Sequence, residues 1–448
     1  MISETDARAV CHKLLSHVKA EDASVGVSSE DYAHQRFAAN NFTTCGLREN
    51  LSVSVTVWSG KKRGAAATNA VDDAALRRAV EEAEQIAAVS PVDREYLPTL
   101  AAQTYKPSAG YAETTVKFPA ASRSRLVHDV IGMCEKESVT GAGFFQARGT
   151  AGAFATKNGN FGYERSSLTS LSLTARTPDG TGSGYFLRNH YDIGRLDTAR
   201  VARESIRKAQ TSREPHTLDA GAYTVVLEAQ AVADLLGFLR FVFDARSADE
   251  GRSPFSAPGG KTKVGEKIFD ERISIYSDPW HAELPGSAFA QGGLPAQKMY
   301  LVRSGVLENL VYSRFWAQQK GKEPTPGPVN GILESSAPTA SVEEMIRDTK
   351  KGLLVGRFWY IRPVDIRTLL ITGLSRDGVW SIEDGKIQYP VRNFRFNQSL
   401  LQLLAPGNVD LISSPERVGS SEAQGGDSNL LPALKVKQFN FTSQSEAV

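Results

Sequence analysis

Cysteine is scarce in this chain: Cys11, Cys45 and Cys134 are the only three in 448 residues, and they lie far apart. So few scattered thiols do not make a disulfide framework, which favours a reducing compartment. Long apolar runs are also missing, and the first residues, "MISETDARAVCHKLL", have neither the basic end nor the apolar stretch of a signal peptide. We therefore expect a cytoplasmic protein that does not cross a membrane.

An excess of charge of one sign is missing too, because 52 basic and 50 acidic residues leave a net charge of +2. This balance, without a recognisable DNA-binding motif, gives no reason to expect nucleic acid or an anionic membrane as a partner. The hydrophobic fraction of 41% and the charged fraction of 23% are typical of a globular protein in water. A chain of this length predicts two domains.

Common catalytic signatures are also missing. Of the seven histidines only His12 and His17 are close in sequence. Five residues apart on a helix they point about 140° away from each other, which does not suit a zinc hydrolase. "GGKT" (259–262) is not a phosphate-binding loop, because the first glycine of that motif would fall on Phe255. A serine hydrolase elbow, Gly-x-Ser-x-Gly, does not occur.

What the first half does contain is a set of helical and strand-like patterns. Strict alternation over 50–60 predicts a half-buried strand, and the glycine-rich segment 141–184 predicts a meander of short strands with turns at "KNGN" and "TPDG". Helical spacing occurs at 4–19, 71–91, 119–137 and 195–210. These patterns predict an α+β fold, with an N-terminal domain at 1–215 of helices on a largely antiparallel sheet.

The second half is richer in strands. A linker-like segment at 213–221 precedes it, and Asp384-Gly385 predicts a tight hairpin. Strands are predicted at 223–228, 272–277, 297–303, 305–313, 368–373, 378–383, 386–390 and 430–441. We therefore predict a strand-rich, mixed β domain with few helices at 216–448.

The stretch "VVLEAQAVADLLGFL" (225–239) predicts a strand that runs into an amphipathic helix, with Glu228 at the junction. Glu228 has two interpretations, a general base or an acid that caps the helix. Asp234 faces away from the apolar stripe of the helix, so we expect it to be solvated. That stripe consists of Val232, Leu235, Leu236, Leu239 and Phe243.

Several segments, taken in order, resemble the TldD/PmbA family, whose members are described as modulators of DNA gyrase and regarded as peptidases. In the first half these are "RFAAN" (36–40), "VTVWSGKKRGAAATN" (55–69) and "AVEEAEQIAAVSPVD" (79–93). In the second half they are "GAYTVVLEAQAVADLL" (221–236), "GRSPF" (251–255), "KIFDERISIYSDP" (267–279), "LPAQKMYLVRSGVLENLVYSRFWA" (294–317), "KGLLVGRFW" (351–359) and "TGLSRDGVWSIEDGKIQYPVRNFRFNQSL" (372–400). The ordered set covers nearly the whole chain.

The resemblance implies two related subunits around an enclosed chamber in the cytosol, where unfolded peptide is cut at zinc. One subunit type carries His-Glu-x-x-x-His on the helix after the strand that corresponds to 223–228, and a later cysteine completes its metal site. This chain has Glu228 there but no histidine, and it has no cysteine after Cys134. Its second half contains only His216 and His281. The resemblance therefore implies no metal in this chain and zinc in the partner subunit.

The resulting hypothesis is the non-metal subunit of the PmbA/TldE type, which completes the chamber and holds unfolded peptide for a zinc-bearing paralogue. Strand addition to an exposed sheet edge is the expected way of holding peptide. Candidate cleft residues are Arg252, Phe255, Arg376, Asp377 and Asn397, each of which is equally compatible with a surface ion pair or a turn contact. Asp377-Gly378 in particular is typical of a turn.

Two alternatives stay open at this point. The first is a free-standing hydrolase that uses Glu228 or unobvious metal ligands, and the second is a peptide-binding scaffold without catalysis. A homodimer is also compatible with the sequence. The aromatic and arginine-rich segment 357–367 either lines the chamber or forms an edge strand, and the edge strand is favoured.

Overall fold

The structure is a computed structural model that describes residues 1–422 and 427–445. Its helices are α1 (Glu4–His17), α2 (Asp73–Val89), α3 (Glu113–Val116), α4 (Ala120–Lys136), α5 (Thr198–Thr211), α6 (Ala229–Leu236), α7 (Ala245–Asp249), α8 (Arg314–Lys320), α9 (Val342–Arg347) and α10 (Leu400–Leu403). Short 3-10 turns lie at Ile193–Arg195, Gly237–Phe241 and Gln291–Gly293. The helices predicted from spacing are α1, α2, α4 and α5, confirmed to within one turn at each end.

The strands alternate with these helices in the first half and dominate the second. They are β1 (Asp22–Ala38), β2 (Asn41–Ser59), β3 (Lys62–Thr68), β4 (Thr140–Thr156), β5 (Phe161–Arg176), β6 (Ser183–His190), β7 (Gly221–Leu227), β8 (Ser256–Ala257), β9 (Lys261–Thr262), β10 (Ile273–Ser277), β11 (Met299–Arg303), β12 (Val306–Leu307), β13 (Gly331–Ser335), β14 (Lys351–Val355), β15 (Phe358–Asp365), β16 (Leu370–Ser375), β17 (Val379–Glu383), β18 (Lys386–Pro390), β19 (Phe394–Ser399), β20 (Val409–Ile412), β21 (Glu416–Val418), β22 (Asn429–Leu431) and β23 (Leu434–Gln444).

The first sheet is antiparallel throughout, in the order β3-β2-β1-β4-β5-β6. Helices α1, α2, α4 and α5 pack on it. Alternate valines such as Val25 and Val53 point into this layer, where they meet Leu76 and Val80 of α2. The alternation predicted for 50–60 is therefore confirmed, as part of the longer strand β2.

The glycine-rich segment 141–184 forms fewer and longer strands than predicted. The turns at "KNGN" and "TPDG" are present, but β4 and β5 contain 17 and 16 residues. The prediction of short strands was wrong because the glycines make room for large neighbours. A Cβ on Gly143, for example, would lie 2.4 Å from the ring of Phe37 on β1.

The second half contains one sheet of six strands, one of nine strands and the two-stranded pair β8-β9. The six-stranded sheet has the order β12-β11-β10-β13-β22-β21, and the nine-stranded sheet has the order β15-β16-β19-β23-β7-β14-β17-β18, with β20 paired to β23. Each of these two sheets is mixed, because β13 is parallel to β22 and β14 is parallel to β7. The predicted strands are present, although 305–313 contributes only Val306–Leu307. The α+β fold class is confirmed.

Two local predictions in the second half are also confirmed. Asp384 and Gly385 both have positive φ, 46° and 76°, as the tight turn between β17 and β18 requires. Strand β15, within the segment 357–367, forms one edge of the larger sheet. Among the described residues, no helix combines the length and the apolar character that a bilayer crossing demands.

Strand β6 is the edge of the first sheet, yet all eight of its residues are buried. Helix α5 covers one side, and it approaches so closely that a Cβ on Gly184 would lie 2.2 Å from the carbonyl oxygen of Ser205. The second half packs against this region through β21 and through side chains of 357–380. The predicted domain boundary at residue 215 lies between α5 and β7.

Candidate functional site

Glu228 lies at the junction of β7 and α6, in the N-cap position of the helix. Its side chain makes no capping hydrogen bond. Its carboxylate instead accepts a hydrogen bond from the ammonium of Lys208 on α5. The Lys208 side chain is 1% exposed and that of Glu228 is 14% exposed. The predicted position of Glu228 at the start of the helix is confirmed, but the predicted capping hydrogen bond is absent. The carboxylate pairs with Lys208 because a buried ammonium requires a counter-charge.

Lys208 was not predicted as a site residue, although its position on helix α5 indicated that it is buried. Val201, Ser205 and Lys208 follow each other at helical spacing on the buried face of α5. A lysine on the stripe that faces the core is unusual unless it is paired. The second half leaves space for its ammonium, because a Cβ on Gly356 would lie 3.4 Å from the Nζ.

Asp377 forms a second buried ionic contact. Its Oδ2 lies 2.9 Å from the Nε of Arg357, without the alignment of a hydrogen bond, and 3.9 Å from the Nε of Arg376. Its Oδ1 accepts a hydrogen bond from the hydroxyl of Ser183 on β6. The guanidinium of Arg357 stacks 3.9 Å above the ring of Tyr185, also on β6. Burial raises the pKa of the Tyr185 phenol.

The turn predicted at Asp377-Gly378 is present, and its backbone is held by packing. Asp377 has a φ of 55° and Gly378 a φ of 130°. A Cβ on Gly378 would lie 2.1 Å from the ring of Trp380, so glycine is required there. The carboxylate of Asp377 is thereby aimed at β6 and not at solvent.

A third ion pair joins the halves near the other end of β6. Arg188 lies 2.8 Å from Glu416 on β21, and Arg200 of α5 lies 3.1 Å from the same carboxylate. We call the whole set the charged seam. It consists of Ser183, Tyr185, Arg188 and Lys208 in the first half, with Glu228, Arg357, Asp377 and Glu416 in the second half.

Asp234 corrects the expectation of a solvated side chain. It is 5% exposed, and its carboxylate accepts hydrogen bonds from the backbone N–H groups of Phe358 at 3.1 Å and Ser421 at 2.8 Å. The position of Asp234 opposite the apolar stripe of α6 did not predict its exposure, because every residue of this helix is buried. Strand β15 and the segment around Ser421 cover the polar side of the helix. Burial raises the pKa of Asp234 to about 6.

The remaining candidate residues are not part of the charged seam. Arg252 is an exposed partner of Glu250, which agrees with the surface ion pair. Phe255 is fully buried, with its ring 5.0 Å from that of Phe243, so it cannot line an open cleft as proposed. Asn397 is exposed on β19, where its carbonyl oxygen accepts a hydrogen bond from the Asn440 side chain. Of the five candidates, only Arg376 and Asp377 lie together.

The chemistry around Glu228 does not fit a zinc site. Zinc in proteins takes three or four nitrogen, sulfur or oxygen ligands, whereas the neighbour of Glu228 is a cation. Throughout 1–422 and 427–445, no three His, Cys, Asp or Glu side chains converge as metal ligands would. The Oε2 of Glu228 is also poorly placed to act as a general base, because it accepts a hydrogen bond from the ammonium of Lys208.

Three family models match the chain in order. They are the PmbA/TldA metallopeptidase domain 1 at residues 23–87, the central domain at 111–213 and the C-terminal domain at 220–443. The first two models divide the strands of the first sheet between them. The third covers both mixed sheets and one side of the charged seam.

Similar proteins are found in distant organisms. A protein of Methanothermobacter thermautotrophicus named metalloprotease is 23% identical over 329 residues, which is 67% of this chain and 68% of that protein. TldE from Thermococcus kodakarensis has a TM-score of 0.85 at 16% identity, covering 97% of this chain and 99% of its own. A Thermotoga maritima protein named as a candidate modulator of a DNA gyrase has a TM-score of 0.84 at 16% identity, covering 97% and 100%. These two structures share the fold.

Removing one charge of the Lys208–Glu228 pair should destabilise the protein strongly. We expect Lys208→Met or Glu228→Leu to lower the free energy of unfolding by about 3–5 kcal/mol, because each leaves a buried charge without its partner. The double variant Lys208→Met/Glu228→Leu should cost less than the sum, and less than either single change. Urea unfolding of the four proteins measures this, and strictly additive effects would contradict the pairing.

Asp234 should make stability depend on pH. Its folded-state pKa of about 6 lies above the usual 3.8, so folding favours its protonated form. Its contribution is fully present below about pH 4 and is lost as the pH rises through about 6, at about 1.4 kcal/mol per pH unit. Urea unfolding of the protein and of Asp234→Asn from about pH 5 to about pH 7 should show the difference shifting in favour of the variant. A difference that does not change with pH would refute this.

Proposed function

The chain belongs to the TldD/PmbA metallopeptidase family, and on this premise we propose that it is the subunit that binds no zinc in a cytoplasmic, two-component metallopeptidase. It completes the reaction chamber and holds an unfolded peptide or small protein. A zinc-bearing paralogue supplies the metal and cuts the peptide bond.

The observation that carries this proposal is the state of Glu228. It is the acid that remains where the zinc-bearing type places its motif, and it is held by a buried lysine. The histidines of the second half do not help, because the ring of His216 stacks 4.7 Å from that of Tyr389 and the Nδ1 of His281 accepts the backbone N–H of Glu283. These contacts support the proposal that the zinc ligands come from another chain.

The same observation weighs against the free-standing hydrolase. A base must reach the proton that it removes, and Glu228 reaches Lys208 instead. The other alternative, a peptide-binding scaffold without catalysis, is not specifically supported by any contact in the charged seam. We propose a paralogue as partner in preference to a second copy of this chain, because a second copy would have the same lysine beside Glu228.

Strand addition is the proposed way in which this subunit holds a peptide. The larger mixed sheet ends in β15 and β18. Strand β15 suits this poorly, because Pro363 lacks an N–H and the backbone N–H of Ile361 already donates to Glu422 at 3.0 Å. Strand β18 (Lys386–Pro390) is exposed over its first three residues and has no proline before its end, so β18 is the edge that we propose.

Mixing the two subunits tests the proposed function. The purified chain should contain far less than one zinc per molecule and should not cut an unfolded fluorogenic peptide. Cleavage should appear when the zinc-bearing paralogue is added, and a chelator should abolish it. The paralogue alone is the control and should be much less active than the mixture. Stoichiometric zinc and cleavage by this chain alone would contradict the proposal.

A further inference from the structure

A cavity of about 330 Å³ lies between the 3-10 turn Gly237–Phe241 and the sheet that contains β10, β11 and β13. Its walls are largely apolar, and most of the apolar wall residues are buried, whereas Val329 is half-buried and Pro328 is exposed. They include Leu236, Leu239, Phe243, Ile275, Leu301 and Ile332. A cavity of this size is at the lower end of the roughly 300–1,000 Å³ of ligand pockets in proteins.

One position in the wall of the cavity, Gly237, contributes no side chain. Helix α6 ends at Leu236, directly before this glycine. A Cβ on Gly237 would have no atom within 4 Å. Its φ of −53° and ψ of −26° suit any residue, so the backbone does not require glycine here.

Charged and aromatic groups mark the mouth of the cavity. Arg240 lines it, and its guanidinium lies 4.5 Å from the ring of Phe241, which is 62% exposed. Within the described part of the chain, no carboxylate lies within ion-pair distance of Arg240. Asp427, which also lines the cavity, interacts with Arg240 electrostatically without such a contact. A large apolar surface beside these charged groups is typical of a binding site.

We propose that this cavity binds one bulky apolar side chain, such as phenylalanine or leucine, of an unfolded peptide. The peptide backbone then passes Arg240, whose guanidinium donates to its carbonyl oxygens. The ligand class rests on the proposed function, whereas the position and the apolar preference rest on the cavity. Strand addition reads little sequence, so this cavity gives the subunit its selectivity.

Two labelled peptides test the proposal on the full chain without any substitution. Both are rich in glycine and serine, and one carries a single phenylalanine where the other carries serine. Fluorescence anisotropy should show the phenylalanine peptide binding about tenfold tighter or more, because burial of one large apolar side chain is worth at least that factor.

A matched pair of variants locates the effect. Gly237→Leu fills the cavity and should abolish the preference for phenylalanine. Gly132→Leu is the control, since Gly132 lies on α4 and a Cβ there also has nothing within 4 Å. Circular dichroism shows whether both variants fold. If Gly237→Leu does not fold, the comparison of the two peptides on the unaltered chain decides whether the cavity binds phenylalanine.

Each outcome has a defined meaning. Equal binding of the two peptides, no binding of either, or a preference that survives in folded Gly237→Leu would overturn the cavity proposal. None of these results bears on zinc-dependent cleavage by the mixed subunits. Conversely, a preference for phenylalanine without cleavage on mixing would reject the helper function and leave the cavity as a peptide site.

Discussion

The contact on which the arrangement of this molecule depends is the ion pair between Lys208 and Glu228. Lys208 is held on α5 by the packing of that helix against β6, and Glu228 is held at the start of α6 by β7. Both charges have been taken out of water, so each is costly without the other. The pair therefore fixes the second half against the first, and the other ionic contacts of the charged seam follow the same edge strand. Asp377 and Glu416 of the second half likewise form ion pairs along β6, with Arg357 and Arg188 respectively.

This constraint also decides what the site can do. Glu228 lies where the zinc-bearing type implied by the resemblance has its His-Glu-x-x-x-His motif, and here this acid pairs with Lys208 of the same chain. A carboxylate that is paired with a structural cation contributes stability and orientation. The fold and the family support a metallopeptidase assembly, and the residues around Glu228 support a role in it without zinc.

The sequence predicted most of the fold because its periodic patterns are local. The helices α1, α2, α4 and α5, the hairpin at Asp384-Gly385 and the strands of the second half all carry their own signals. Strand β1 was not predicted, because its outward face mixes serine, glutamate, tyrosine and histidine and so shows no simple alternation. The site was less predictable, since Lys208, Arg357 and Glu416 meet only after distant segments have packed. Asp234 was misjudged for the same reason, because an apolar stripe on one helix does not reveal which other elements cover its remaining faces. Phe255 was misjudged because a loop sequence does not show which residues, here Phe243, pack against it.

One measurement tests the central claim that Glu228 is a structural and not a catalytic acid. The double variant Lys208→Met/Glu228→Leu removes both charges together, and gel filtration with the zinc-bearing paralogue shows whether the complex still forms. We predict that the complex forms and that its rate of peptide cleavage stays within about threefold of that of the unaltered complex, less than about 1 kcal/mol in transition-state free energy. An intact complex whose cleavage falls a hundredfold or more, about 3 kcal/mol or more, would show that Glu228 takes part in the reaction and would contradict the account.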